Sequence, residues 1–194
     1  MRKIISLFQR NYEGDRLVRD ECVPGAEWVQ AGEGIATQKH DGTACRFHSG
    51  MLWRRYDAKG DRTPPPGFDP AQEPDRQTGH WPGWIPVGQG PEDRWFVQAM
   101  ESSGPWPAGT YELCGPKVNG NPERLETHRL IRHGSVLLHD APRTFDALRD
   151  YLFSRDMEGI VWHHPDGRMV KIKGRDFGFK RASVAYVALR DGAR

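Results

Sequence analysis

Cysteine is scarce in this chain of 194 residues: Cys22, Cys45 and Cys114 are the only three, and no two share a C-x-x-C spacing. An odd number so spread indicates neither a disulfide framework nor a zinc knuckle, and it fits a reducing cytoplasm. His163 and His164 could join Cys114, but no fourth ligand stands at zinc spacing. Long apolar runs are missing too. The N-terminal MRKIISLFQRNYEGD sets charge before a short apolar stretch, and Gln9, Arg10 and Asn11 interrupt it before secretory length. No segment approaches membrane-spanning length, so no membrane partner is expected. Glycine-rich phosphate loops are also absent: neither G-x-x-x-x-G-K nor G-x-G-x-x-G opens a helix, and GEGIATQ holds only a loose glycine pair. A bound nucleotide would therefore have its phosphates held by lysines. Net charge is small, +2, too little to announce a nucleic-acid binder by itself. Its distribution is uneven, since Arg168 to Arg181 contains six Lys or Arg and one acid, Asp176, which marks a candidate phosphate-facing surface.

What is present suffices for one sizeable core. With 37% hydrophobic residues and seven Trp, the expectation is a single domain over 1–194 with an insertion at about 62–91. Short strands are predicted at Ile35 to Gln38, Thr43 to Phe47 and Met51 to Tyr56, separated by HDG and HSG, as a meander passing through the lysine of TQKHDGTACRF. Eight prolines fall within 62–91, so that segment should contribute no central strand, although Trp81, Trp84 and Ile85 favour packing over disorder. PEDRWFVQAM reads as a helix with acids in its first turn and Trp95, Phe96, Ala99 and Met100 on one face. TFDALRDYLFS reads as a second, capped by Thr144 and apolar at Phe145, Leu148 and Leu152. GTYELCG, GIVWHH and RMVKIK complete the strands. Strands joined by short turns, with isolated helices, predict an α+β fold built on antiparallel sheet.

Four charged stretches lie at strand ends or beside glycine, where backbone can approach a ligand: Lys39-His-Asp41-Gly42, Glu112-Leu-Cys-Gly, Glu158-Gly-Ile-Val161 and Lys171-Ile-Lys173-Gly. Lys171 and Lys173, two apart on a strand, share a face. Carboxylates that bring a divalent cation, with lysines that grip phosphates, make an inventory for chemistry on a nucleoside triphosphate. Each stretch also has a plainer reading. Asp41-Gly42 suits an ordinary hairpin turn, Glu112 a solvated or salt-bridged acid, Glu158-Gly159 a connector, and Lys171 with Lys173 a protected sheet edge.

Taken in order, these stretches resemble the motifs of the covalent nucleotidyltransferase superfamily of DNA ligases, RNA ligases and mRNA capping enzymes. WRRYDAKG, HWPGWIPV, VNGNP, LIRHG and EGIVWHHPDG narrow the likeness to the compact ATP-dependent 5'-to-3' RNA ligases. The resemblance implies an antiparallel nucleotidyltransferase domain. About twenty residues follow Gly174, so the C-terminal OB-fold of DNA ligases and capping enzymes is not expected. It implies Lys39 as nucleophile toward ATP, carrying AMP as a phosphoramidate, with transfer to an RNA 5'-phosphate and sealing by a 3'-hydroxyl. An ammonium has no lone pair, so the attacking amine must first lose its proton. Lys171 and Lys173 would bind the α-phosphate and departing groups as further catalytic residues. Glu158 would hold Mg²⁺ or Mn²⁺, and Glu112 the ribose or the same metal. Val161 would pack on adenine. Gln38 precedes the lysine where the family reads the adenine edge through backbone, and Asp41 and Gly42 complete the nucleotide-binding motif. Arg54 or Arg55 would hold the ribose or the RNA 5'-phosphate. His133 is either a second adenine contact or, more commonly for such a residue, a buried and satisfied histidine. Trp81 and Trp84 either stack on RNA bases or anchor the insertion. Two alternatives stand beside an RNA ligase: an RNA 5'-adenylyltransferase that does not seal, and a nucleotide- or RNA-binding module without activity.

Overall fold

The computed structural model describes residues 3–59, 62–102, 104–179 and 181, so Gly60 of WRRYDAKG and Lys180 of the basic stretch lie outside it. Along the chain run β1 (Ile5–Ser6), β2 (Phe8–Arg10), β3 (Val18–Cys22), α1 (Glu27–Gln30) and β4 (Ile35–Lys39). Next come β5 (Thr43–His48), β6 (Met51–Lys59), β7 (Asp69–Pro70), β8 (His80–Pro86), α2 (Arg94–Glu101), β9 (Gly109–Cys114) and β10 (Arg129–Arg132). The series closes with α3 (Phe145–Phe153), β11 (Gly159–His163), β12 (Met169–Lys173) and a 3-10 turn at Gly174–Phe177. The fold is a sheet-rich α+β one whose sheets are antiparallel apart from one parallel pair, β1 with β12.

Two compact units divide the residues: a terminal one, Ile4–His40 with Gly134–Arg194, and a central one, Asp41–His133 with Met1–Lys3. In the terminal unit a four-stranded sheet has the order β1-β12-β11-β4. Ala36, Ile160, Trp162, Val170 and Ile172 alternate along its strands and point into one core. Leu148 and Leu152 of α3 bury against that core, and Phe8 meets Phe145 edge to face at 5.1 Å. Thr144 stands at the helix N-cap but makes no side-chain capping bond, so packing rather than the cap defines this end.

In the central unit six strands run β10-β9-β5-β6-β8-β7. Cys45, Leu52, Tyr111, Leu113 and Leu130 face Phe96 and Ala99 of α2. The structure corrects three sequence expectations here. The stretch from Ile35 to Phe47 is no meander: β4 and β5 belong to different sheets, and of the turns HDG and HSG it is the second that forms a two-residue hairpin, at Ser49-Gly50, both with positive φ, between β5 and β6. The proline-rich segment does supply an inner strand, because β8 pairs with β6 over seven positions and with the two-residue β7 outside. Along β8 the Val87 N–H goes to Leu52 O on the β6 side, whereas Pro82 O accepts from Ala71 N–H on the other. Alternation then turns Pro82 and Pro86, with their missing donors, away from the long β6 ladder. Finally, Glu92 and Asp93 precede α2 instead of occupying its first turn. Asp93 accepts the Gly88 N–H and pairs with Arg54.

Candidate active site

In the terminal unit, strand register decides which side chains meet. Gly159 of β11 is the partner of Lys39 on one side and Lys173 on the other, and Val161 likewise links Thr37 and Lys171. With a period of two, Lys39, Lys171, Lys173 and Val161 therefore share one face, opposite the apolar core. Gln38 pairs with Ile160, so its side chain belongs to the other face, and its backbone N–H is donated to Val136 O.

Glu158, immediately before β11, joins two of the lysines. Its Oε2 lies 2.5 Å from Lys39 Nζ and its Oε1 2.6 Å from Lys173 Nζ, with the Glu158 side chain only 11% exposed. Burial alone would raise the Glu158 carboxyl, but Lys39 and Lys173 together hold it below the usual carboxylate range. Lys171 has no carboxylate partner among the described residues, and burial, followed by the charges of Lys173 and Lys39, pushes its amine down to about 8. Burial and Lys39 likewise lower Lys173. Two amines thus pair with one carboxylate while a third, that of Lys171, shares their face, leaving an excess of positive charge suited to a polyanion. Asp176, buried at 3% exposure, supports this face from behind: its Oδ2 accepts the Lys173 N–H at 3.0 Å and its Oδ1 pairs with Arg10. Asp176 stood out in the sequence as the one acid of a basic stretch, but nothing local linked it to Arg10.

The central unit gathers a second set. Gly42 N–H donates to Glu112 Oε1 at 3.2 Å, and His133 Nε2 lies 2.8 Å from Glu112 Oε2 while its Nδ1 lies 2.9 Å from Thr110 Oγ1. Both oxygens of the buried Glu112 are thereby fixed, and both nitrogens of His133 are engaged. A Cβ on Gly42 would fall 2.1 Å from Leu113 O, so only glycine fits at this point. Arg54 and Arg55, adjacent on β6, point to opposite faces. Arg54 turns toward the α2 side and pairs with Asp93 at 2.5 Å, whereas Arg55 shares the Glu112 face and lies over the Trp84 ring at 4.9 Å. Trp84 is fully buried, and Trp81 donates to Gln72 O at 3.0 Å and meets Phe68 edge to face, so both anchor the proline-rich segment. Sequence reasoning missed Asn119 and Glu123, which hydrogen-bond to Asp41. The string VNGNP signalled Asn119 without showing its partner, and Glu123 follows that string directly.

A sequence model of the family RNA ligase 1 matches residues 106–189, a span that includes Glu112, Glu158, Lys171 and Lys173. RNA ligase 1 of Mus musculus is 25% identical over 218 aligned positions, covering 74% of this chain and 67% of that protein. The Rattus norvegicus protein of the same name matches to the same extent. RNA ligase 1 of Danio rerio is 28% identical over 136 positions, covering 53% of this chain and 42% of its own length. The family match and these relatives support the assignment of this chain to an RNA-ligase type of nucleotidyltransferase family.

Proposed function

We propose that the chain is an ATP-dependent RNA ligase that joins a 5'-phosphate to a 3'-hydroxyl through a lysyl-AMP intermediate. The observation that carries this reading is the grouping of Lys39, Lys171 and Lys173 with Glu158 on one sheet face. Lys39 Nζ gives up its proton and bonds to the α-phosphorus of ATP as the bond to pyrophosphate breaks. The resulting adenylate passes to the phosphate oxygen at an RNA 5' end and frees the amine. A 3'-hydroxyl oxygen then attacks the RNA phosphorus and AMP departs. Lys171 and Lys173 offset charge on the phosphate oxygens, and such fixed charges act strongly in a partly buried site.

Among the described residues no group of three or more His, Cys, Asp or Glu side chains is arranged to hold a metal ion. Mg²⁺ commonly takes one or two carboxylates and completes its shell with phosphates and water, so the single carboxylate of Glu158, shared with Lys39 and Lys173, fits it. Glu158 would hold that ion, which would supply added neutralisation of phosphate charge. In the central unit Glu112 and Arg55 carry acceptor and donor groups of the kind that bind ribose and phosphate; in the terminal unit Val161 gives the lysine face an apolar surface of the kind that packs on a base.

The test uses α-labelled ATP with Mg²⁺, followed by 5'-phosphorylated RNA bearing a free 3'-hydroxyl. Label is expected on the protein, then on RNA, then in circular or joined product, and Lys39→Ala should take up none. Label that stops at A(5')pp(5')RNA assigns the narrower adenylyltransferase activity, and an unlabelled wild-type chain overturns the reading.

A further inference from the structure

Asp41 and Gly42 follow the proposed nucleophile by two and three residues, and side chains of the central unit hold both. Asn119 Nδ2 donates to Asp41 Oδ1 at 3.0 Å and to Gly42 O at 2.9 Å. Glu123 Oε1 accepts the Asp41 N–H at 2.9 Å, and Glu112 Oε1 accepts the Gly42 N–H at 3.2 Å. The loop that supplies Asn119 has an unusual backbone. Asn119, Gly120 and Asn121 have φ of 49, 77 and 58 in succession, a left-handed region that only glycine, asparagine and aspartate enter with any ease. Asn121 then closes the loop on Leu125, accepting its N–H at 2.9 Å and donating to its carbonyl at 3.0 Å. A connection between strands needs no such conformation. Its consequence here is that the Asn119 amide turns back onto Asp41-Gly42.

We propose that Asn119 is a positioning residue for lysine adenylylation, acting with Glu123 to fix the Asp41-Gly42 stretch that follows Lys39. This rests on the ligase reading. The V-N-G-N-P string, otherwise without a part in the chemistry, is the source of both the left-handed turn and the amide it presents.

Asn119→Asp separates this role from loop folding. Aspartate has the same shape and tolerates the same backbone, yet it replaces the donor with an acceptor facing the Asp41 carboxylate. Single-turnover labelling from α-labelled ATP is expected to slow by about tenfold or more in N119D at saturating ATP, and more than in Asn119→Ala, with half-saturation changed less than about threefold. The thermal midpoint of N119D should stay near wild type, and the Asp41 and Gly42 amides should exchange with solvent faster. If the asparagine served only its own backbone conformation, the order would reverse, with N119D near wild type and Asn119→Ala slower. That reversal overturns the proposal, as does wild-type labelling in both variants or a slow N119D already unfolded at the assay temperature. A labelled wild type beside a fast N119D removes this proposal alone, whereas an unlabelled wild type removes the ligase reading and this proposal with it.

Discussion

A lysine surrounded by other cations weakens the fold that contains it. Burial first, then the charges of Lys173 and Lys39 on the same sheet face, lower the Lys171 amine, Asp176 and Glu158 offset this only in part, and the amine falls from 10.5 to about 8. Below about pH 8 the folded chain holds an ammonium it disfavours. Between about 8 and 10.5 the unfolded chain binds the extra proton, so stability from this residue rises with pH across that window. Lys171→Met should therefore stabilise the protein near neutral pH by about 1–2 kcal/mol while slowing adenylylation, the trade expected where charge is retained for chemistry. Urea midpoints at pH 7 and 9.5 check this: the wild type should gain on the variant at the higher pH, and parallel curves would remove the argument. Glu158 behaves in the opposite sense, its lowered carboxyl contributing stability above its unfolded value near 4.5 and losing that contribution as the pH falls through the folded one.

At the scale of elements, strands were read where periodicity is strong. GIVWHH and RMVKIK became β11 and β12 nearly residue for residue, since their alternating or continuous apolar pattern is fixed by the core beneath. β1 and β2 were not foreseen, because strands of two and three residues carry too few side chains to show a period, and β3 was not because its middle residues, Arg19, Asp20 and Glu21, are all exposed and charged. β8 was denied by its prolines, and its existence depends on which way each proline's nitrogen faces, a property of pairing that the composition does not contain. The site was legible in the same measure: lysines and acids beside glycines could be picked out, but the split of Arg54 from Arg55 needed the register of β6. The β5–β6 hairpin offers a test of this scale. Ser49, with φ 49, occupies the first position of a turn that favours asparagine, so Ser49→Asn should raise stability by about 0.5–1 kcal/mol, read as a higher urea midpoint at unchanged slope. No gain would mean that the left-handed serine is not a source of strain.

For the molecule as a whole, net charge understates and local sequence overstates the grip on a polyanion. Six cations between Arg168 and Arg181 suggest a strong electrostatic surface, but three of the five described ones are paired with carboxylates of the chain itself. Arg168 pairs with Asp166 at 2.6 Å, Lys173 with Glu158 at 2.6 Å and Arg181 with Asp156 at 2.9 Å. Among the described residues of that stretch only Lys171 and Arg175 lack a carboxylate partner. Two such cations displace about two counterions from single-stranded nucleic acid, so transfer of AMP from the labelled protein to subsaturating 5'-phosphorylated RNA should fall only about five- to tenfold between 50 and 200 mM salt. Attachment of AMP to Lys39 at saturating ATP should change far less, because a buried, hydrogen-bonded cluster is screened weakly. A thousandfold loss in the RNA step would show that many more cations face the phosphates than this stretch leaves free. A flat response in both steps would place RNA recognition in contacts other than charge, with base stacking and hydrogen bonds as the remaining source of affinity.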